Sequence, residues 1–220
     1  MNGLFDLHKK FYRFAEIAGN SVTAIGNKAF YYKQLTNIII PDSVTSIEAY
    51  AFGYNQLTSV TIPDHITEID LAVFSRNKLT SFTIPKGVTY IGQSSFSGNQ
   101  LASINIPDDV TEIGMQTFEG NQLTDVTIGN RVKTIGHYAF RSNQLTSITI
   151  PDSVRTIDYH AFSDNPLTSI TIGANVIIRD RDDGAFKGSG IPNEFDDFYV
   201  SNKRKAGTYV FMNGRWVVRN

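Results

Sequence analysis

A mainly β solenoid wound in 22-residue turns is the fold this sequence predicts, and three observations predict it. Phenylalanine recurs at Phe30, Phe52, Phe74, Phe96, Phe118, Phe140 and Phe162, then at Phe186 after a two-residue insertion. Leucine recurs in step at Leu35, Leu57, Leu79, Leu101, Leu123, Leu145 and Leu167. Between the two rows β-branched residues alternate with polar ones, as in Ser59-Val60-Thr61-Ile62, the period of a half-buried strand. No break in period separates two halves, so the chain reads as one continuous domain in three parts: a cap over 1–20, the solenoid over 21–190 and a second cap over 191–220.

The elements follow in order. Leu4, Leu7, Phe11, Phe14 and Ala18 fall at helical steps, with Asn2 as N-cap and Gly19 past the end. The spacing predicts a helix over 3–18, placed to cover the apolar end that an open stack exposes. A partial coil runs from Val22 and Ile25 to Phe30, and full coils follow. Each opens on a first strand ending at Pro41, Pro63, Pro85, Pro107 or Pro151, with Gly129 and Gly173 at the same place in two coils, so a turn is expected there. A second apolar pair follows (Val44/Ile47, Ile66/Ile69, Val88/Ile91) and predicts a second short strand. The small residue beside each Phe lets the rings stack in a column. Asn55, Asn77, Asn99, Asn121, Asn143 and Asn165 sit three residues later, where a buried amide can satisfy turn backbone groups. Past the last coil, a short helix from Pro192 and a hairpin turning at Asn213-Gly214 are predicted, with Trp216 sealing the core.

Composition narrows the function. A net charge of -1 offers no global attraction to nucleic acid or an acidic membrane. The absence of Cys excludes disulfides, a thiolate zinc site and a Cys nucleophile. No apolar run is long enough for a membrane helix, and Met1–Lys10 lacks the basic and apolar regions of a signal peptide.

The pattern Leu-x-x-Ile-x-Ile-Pro-x-x-Val-x-x-Ile-x-x-x-Ala-Phe-x-x-Asn, carried by residues 22–188, resembles the BspA-like (Treponema pallidum-type) leucine-rich repeats. The segment from Phe198-Tyr199 to Thr208-Tyr209 is similar to the C-terminal cap of spirochaetal members. The resemblance implies a right-handed leucine-rich-repeat coil with a parallel sheet on its concave face. It also implies a surface, secreted or periplasmic bacterial protein that binds host matrix or cell-surface proteins, and it supplies no catalytic residues.

The positions of the first strand that point away from the core are the candidate binding surface. They are Asn37, Ile39, Ser59, Thr61, Ser81, Thr83, Ser103, Asn105, Asp125, Thr127, Ser147 and Thr149, with Ser169 and Thr171 in the last coil. Stacked about 4.8 Å apart, they form two columns of short hydrogen-bonding groups. Such an array suits a protein surface, and equally it suits solvated strand residues that stack well. Ile39 is the apolar exception and Asp125 the charged one. On the opposite wall Glu68 and Glu112 give way to Lys133 and Arg155 along the stack, and Tyr50, Tyr54, Tyr90, Tyr138 and Tyr159 add aromatic surface or pack on turns.

Metal and catalytic chemistry find no support. His8, His65, His137 and His160 are dispersed. His137 and His160 fall in adjacent coils but one column apart, next to Tyr138 and Tyr159 and without a nearby carboxylate. The Asp row after the prolines (Asp42, Asp64, Asp108, Asp152) is explained by Asx bonds to its own backbone, and in Asp180–Gly184 the interleaved Arg181 argues against calcium. No nucleophile, base and orienter converge. The reading is a non-enzymatic protein-binding module without cofactor or metal. The alternative is a self-assembling scaffold that pairs copies through Ile39 and the N-terminal cap.

Overall fold

The computed structural model describes residues 14–16, 22–179, 184–186 and 194–219. The 22-residue spacing becomes the pitch of a stack. Coil 1 spans 35–54, coil 2 spans 57–76, and so on to coil 7, which begins at 167. The first wall of the coils holds β3 (Asn37–Ile39), β7 (Ser103–Asn105), β9 (Asp125–Thr127), β11 (Ser147–Thr149) and β13 (Ser169–Ile172). The second wall holds β2 (Ala24–Ile25), β4 (Ser46–Ile47), β5 (Glu68–Ile69), β6 (Tyr90–Ile91), β8 (Glu112–Ile113), β10 (Thr134–Ile135), β12 (Thr156–Ile157) and β14 (Ile177–Ile178). These second strands are two residues long because each coil leaves room for only one inward-facing residue, the isoleucine, before the next turn.

The third wall is a turn with two left-handed residues per coil. Tyr50 (φ 58°) and Tyr54 (φ 57°) hold these places in coil 1, and Gly98 and Gly120 take the second of them in coils 3 and 4. This wall carries its own ladder: the amides of Tyr50, Phe52 and Tyr54 donate to Leu71, Val73 and Ser75 at 2.8–3.0 Å. Inside it the phenylalanines stack as expected, with Phe74 and Phe96 5.7 Å apart and Phe96 and Phe118 5.5 Å apart. The buried asparagines join coils. Asn99 accepts from the Leu79 amide at 3.1 Å and donates to the carbonyls of Phe74 and Phe96 at 2.9 and 3.0 Å. One side chain thus satisfies three backbone groups that no strand ladder reaches.

At the C-terminal end α1 (Glu194–Ser201) leads into the hairpin of β15 (Gly207–Met212) and β16 (Arg215–Arg219), which turns at Asn213 and Gly214, both left-handed. β15 pairs antiparallel with β13 and closes the sheet edge of the last coil. Trp216 is buried against Phe195 and Phe211. The hydroxyl of Tyr199 donates to the Gly173 carbonyl at 2.6 Å. At the other end the predicted helix over 3–18 is corrected where the structure describes it. Residues 14–16 form strand β1 (Phe14–Glu16), parallel to β3, because the free edge of the first full coil offers it a ladder. The rest of that span lies outside the described residues.

The two strand walls differ in continuity. Strands β5, β6, β8, β10, β12 and β14 form one six-stranded parallel sheet. The parallel pairing of the first wall is interrupted. Between full coils only β7–β9 and β11–β13 pair, and Ser59–Ile62 and Ser81–Ile84 make no backbone hydrogen bond despite the same in–out alternation. The wall closes where the second coil of a pair carries glycine after its first strand. A Cβ on Gly129 would lie 2.3 Å from the Pro107 carbonyl oxygen, and one on Gly173 2.9 Å from the Asp152 carboxylate and 3.2 Å from its Cα. Where Pro63, Pro85, Pro107 or Pro151 stands there, the ring keeps the neighbouring turn away. The glycines expected as mere alternatives to proline are therefore the positions that let the wall zip.

Candidate functional site

The outward positions of the first wall form one exposed surface. Asn37, Ser59, Thr61, Ser81, Thr83, Ser103, Asn105, Asp125, Thr127, Ser147 and Thr149 are all exposed, and Ile39 is 50% exposed among them. Their exposure follows from the alternation, since the intervening Ile38, Val60, Phe82, Ile104, Val126 and Ile148 are buried. Coil 7 departs from this pattern. Ser169 and Thr171 are half-buried because β15 lies beside them, and the Thr171 and Thr208 hydroxyls meet at 3.0 Å. The open array therefore spans six coils, about 24 Å at the usual strand spacing.

The array is not flat throughout. A cleft of about 430 Å³ opens where coil 1 meets coil 2, lined by residues of 37–42 and 59–64. The second wall is also unpaired there. β4 bonds back to β2 and β5 forward to β6, with no ladder between β4 and β5. The coils remain joined by the third wall, by Asn77, which donates to the Phe52 and Phe74 carbonyls at 3.0 and 3.1 Å, and by the His65 ring nitrogen donating to the Val44 carbonyl at 2.8 Å. Asp42 and Asp64 stand at the same turn position of the two coils, both exposed and of like charge. The equivalent turn between coils 4 and 5 is bridged instead: Asp108 accepts from the Asn130 amide at 2.7 Å, and Asp109 pairs with Arg131 at 2.8 Å. The Asp108 carboxylate thus reaches the next coil rather than its own backbone.

The remaining predicted groups scatter over the edges. Tyr54 and Tyr90 are exposed, whereas Tyr50, Tyr138 and Tyr159 are half-buried on turns. Sequence reasoning missed Tyr31 and Tyr32, which join Tyr50 and Tyr54 in an aromatic patch under the Lys28 ammonium; Tyr32 is 68% exposed. The signal was present as the run Phe30-Tyr31-Tyr32 in the partial coil. His137 packs edge-on to Tyr138 and Tyr159, with its ring centre 6.0 Å from that of His160. Carboxylates do lie close, contrary to expectation: Asp158 and Glu119 favour the imidazolium, but burial and His160 outweigh them and hold His137 below its ordinary value. Among the described residues no three His, Asp or Glu side chains gather to hold a metal ion. His8 and the Asp180–Asp183 run lie outside the described residues. No helix among the described residues is long and apolar enough to cross a membrane.

Comparison with known proteins agrees with this architecture. The chain matches the BspA-type leucine-rich repeat region in six copies, over residues 14–124, 68–192 and 111–214. No curated protein matches it. Among solved structures it is similar to YopM from Yersinia enterocolitica WA-314, at 15% identity and a TM-score of 0.51, over 70% of this chain and 32% of that one. It is also similar to a leucine-rich repeat protein from Bacteroides ovatus (20% identity, TM-score 0.43), over 77% of this chain and 60% of that one. A third is a leucine rich cell surface protein from Faecalibacterium prausnitzii (22% identity, TM-score 0.35), over 76% of this chain and 67% of that one. The chain thus spans less than two thirds of the length of the first two.

Proposed function

This chain belongs to the BspA-type leucine-rich repeat family, a family of protein-interaction and surface proteins, and we propose that it is a non-enzymatic module that binds a protein through its first wall. The observation that carries the reading is the division of labour within each coil. The repeated Leu, Ile, Phe and Asn are buried, and the first wall presents its alternate residues, mostly Ser and Thr with Asn37, Ile39, Asn105 and Asp125 as the departures, in one exposed plane. Short uncharged donors and acceptors spread over about 24 Å suit a protein partner better than a small molecule, which needs a deep pocket. A bacterial surface or secreted setting, with a host matrix or cell-surface protein as partner, belongs to the same proposal and rests on the family.

The test is a Lys replacement of Ser81, Thr83, Ser103 and Asn105 together, with binding measured against a panel of purified extracellular matrix and cell-surface proteins. Binding lost with an unchanged thermal melt supports the first wall, whereas unchanged binding moves the site elsewhere. Exposed Ile39 favours a second reading, a scaffold that pairs copies of itself. A strict monomer by light scattering at high concentration removes that reading.

A further inference from the structure

We propose that the junction between coils 1 and 2 accepts an extended segment of a partner polypeptide as an added strand, with a basic residue of that segment held between Asp42 and Asp64. This deepens the protein-binding reading above and rests on it. Three independent observations converge on the junction.

The first is main-chain valence. Ser59–Ile62 keeps the in–out alternation of a strand, yet none of its amides or carbonyls has a backbone partner. Facing it, β3 is paired with β1 along its other edge only. The Ile38 amide is turned to the Asn37 Oδ1 at 2.8 Å and would have to exchange that local bond. Two neighbouring backbones whose other groups lack main-chain partners at the junction are a template for a strand, because an added chain satisfies them through main-chain bonds whatever its sequence. The second is room. Ser59–Ile62 and Ser81–Ile84 both lack a ladder, but only between coils 1 and 2 are both strand walls unpaired, and there the cleft of about 430 Å³ opens. The third is charge. Asp42 and Asp64 mark one end of the cleft, exposed, and neither makes an ion pair among the described residues. Lys86, next in that row, makes no ion pair with either among the described residues. A guanidinium between the two carboxylates removes their mutual repulsion and gains charge-assisted bonds. Ile39, on the rim, offers an apolar contact to an alternate side chain of the incoming strand.

These features select among occupants. A small molecule would leave most of the two backbones unpaired. An acidic segment would be repelled at the turn. A basic extended segment satisfies the backbone and the charge at once.

The probe is a synthetic peptide of alternating threonine and valine with one terminal arginine, in both chain directions, set against the same peptides N-methylated at alternate residues. In the free chain the amides of Ser59–Ile62 exchange at least about a hundredfold faster than those of Asp125–Thr127. Millimolar peptide slows them, N-methylation abolishes the effect, and the double variant Asp42→Asn, Asp64→Asn weakens peptide binding about tenfold, the loss expected for one charge-assisted contact. The four-lysine variant of coils 3 and 4 still takes the peptide, so failure of the broader first-wall reading is seen separately from failure here. The proposal is overturned by equal binding of the N-methylated peptide, by no binding at millimolar concentration, by protected amides in the free monomer, or by protection that rises with protein concentration, which would make the occupant a second copy.

Discussion

The junction between coils 1 and 2 and the junction between coils 4 and 5 are built from the same repeat and end in opposite states. In the second, β7 pairs with β9, β8 pairs with β10, and Asp108 and Asp109 reach across to Asn130 and Arg131. In the first, both strand walls are unpaired and a cleft lies between the coils. The core beneath does not distinguish them. Ile38, Ile40 and Val60 are as buried as Ile104, Ile106 and Val126. The difference sits in the turn, where Pro63 faces Pro41 in one junction and Gly129 faces Pro107 in the other, and where two like charges replace two complementary pairs. A solenoid therefore does not need every wall closed at every step. The phenylalanine column, the asparagine ladder and the third wall hold the stack, and the strand walls are left free to vary.

Exchanging the two turns should break that contrast. The largest effect is expected from Gly129→Pro. Its ring cannot occupy the space beside the Pro107 carbonyl, so β9 must part from β7, at a cost of about 2–3 kcal/mol in denaturant unfolding. The amides of Asp125–Thr127 should then exchange as fast as those of Ser59–Ile62. A change below about 0.5 kcal/mol would mean that glycine is not what lets the wall zip. The reverse swap, Pro63→Gly, should slow exchange of Ser59–Ile62 about tenfold or more while moving stability by less than about 1 kcal/mol, because ladder bonds gained are offset by the looser unfolded chain. Unaltered exchange would assign the opening to the Asp42 and Asp64 charges instead.

The smallest effect concerns the closed side of the molecule, where His137 follows β10. Its folded-state value lies below the ordinary 6.5, chiefly through burial. Between those two values the unfolded chain binds more protons than the folded one, so stability rises with pH. The contribution is complete above 6.5 and is lost as pH falls through the folded value. The melting temperature should drop between about pH 7.5 and about pH 5 by more in the wild type than in His137→Asn. Identical drops would place the acid sensitivity elsewhere.

The fold was legible in the sequence because its rows repeat. Each of the Leu, Ile, Phe and Asn columns has a fixed distance to its own copy, and stacking in register is the one arrangement that buries all of them. The exposed columns were legible for the same reason, since period two sends alternate residues out. The hairpin was legible from Asn213-Gly214, whose left-handed conformations that turn requires. The strand at residues 14–16 was not, because a helical stripe of apolar residues and a free sheet edge compete for the same segment, and only the edge's position decides. Nor was the half-burial of Ser169 and Thr171, which depends on where the hairpin docks.

By itself, then, the sequence determined the coil, its 22-residue pitch, the buried columns and the plane of exposed residues, all of which follow from spacing along the chain. Tertiary structure alone decided which junctions close. Pro63 and Gly129 fill one slot of the repeat and both fit a turn, but whether the wall beside them pairs depends on how near the backbone of the preceding coil comes. That distance belongs to two coils together and is written in neither.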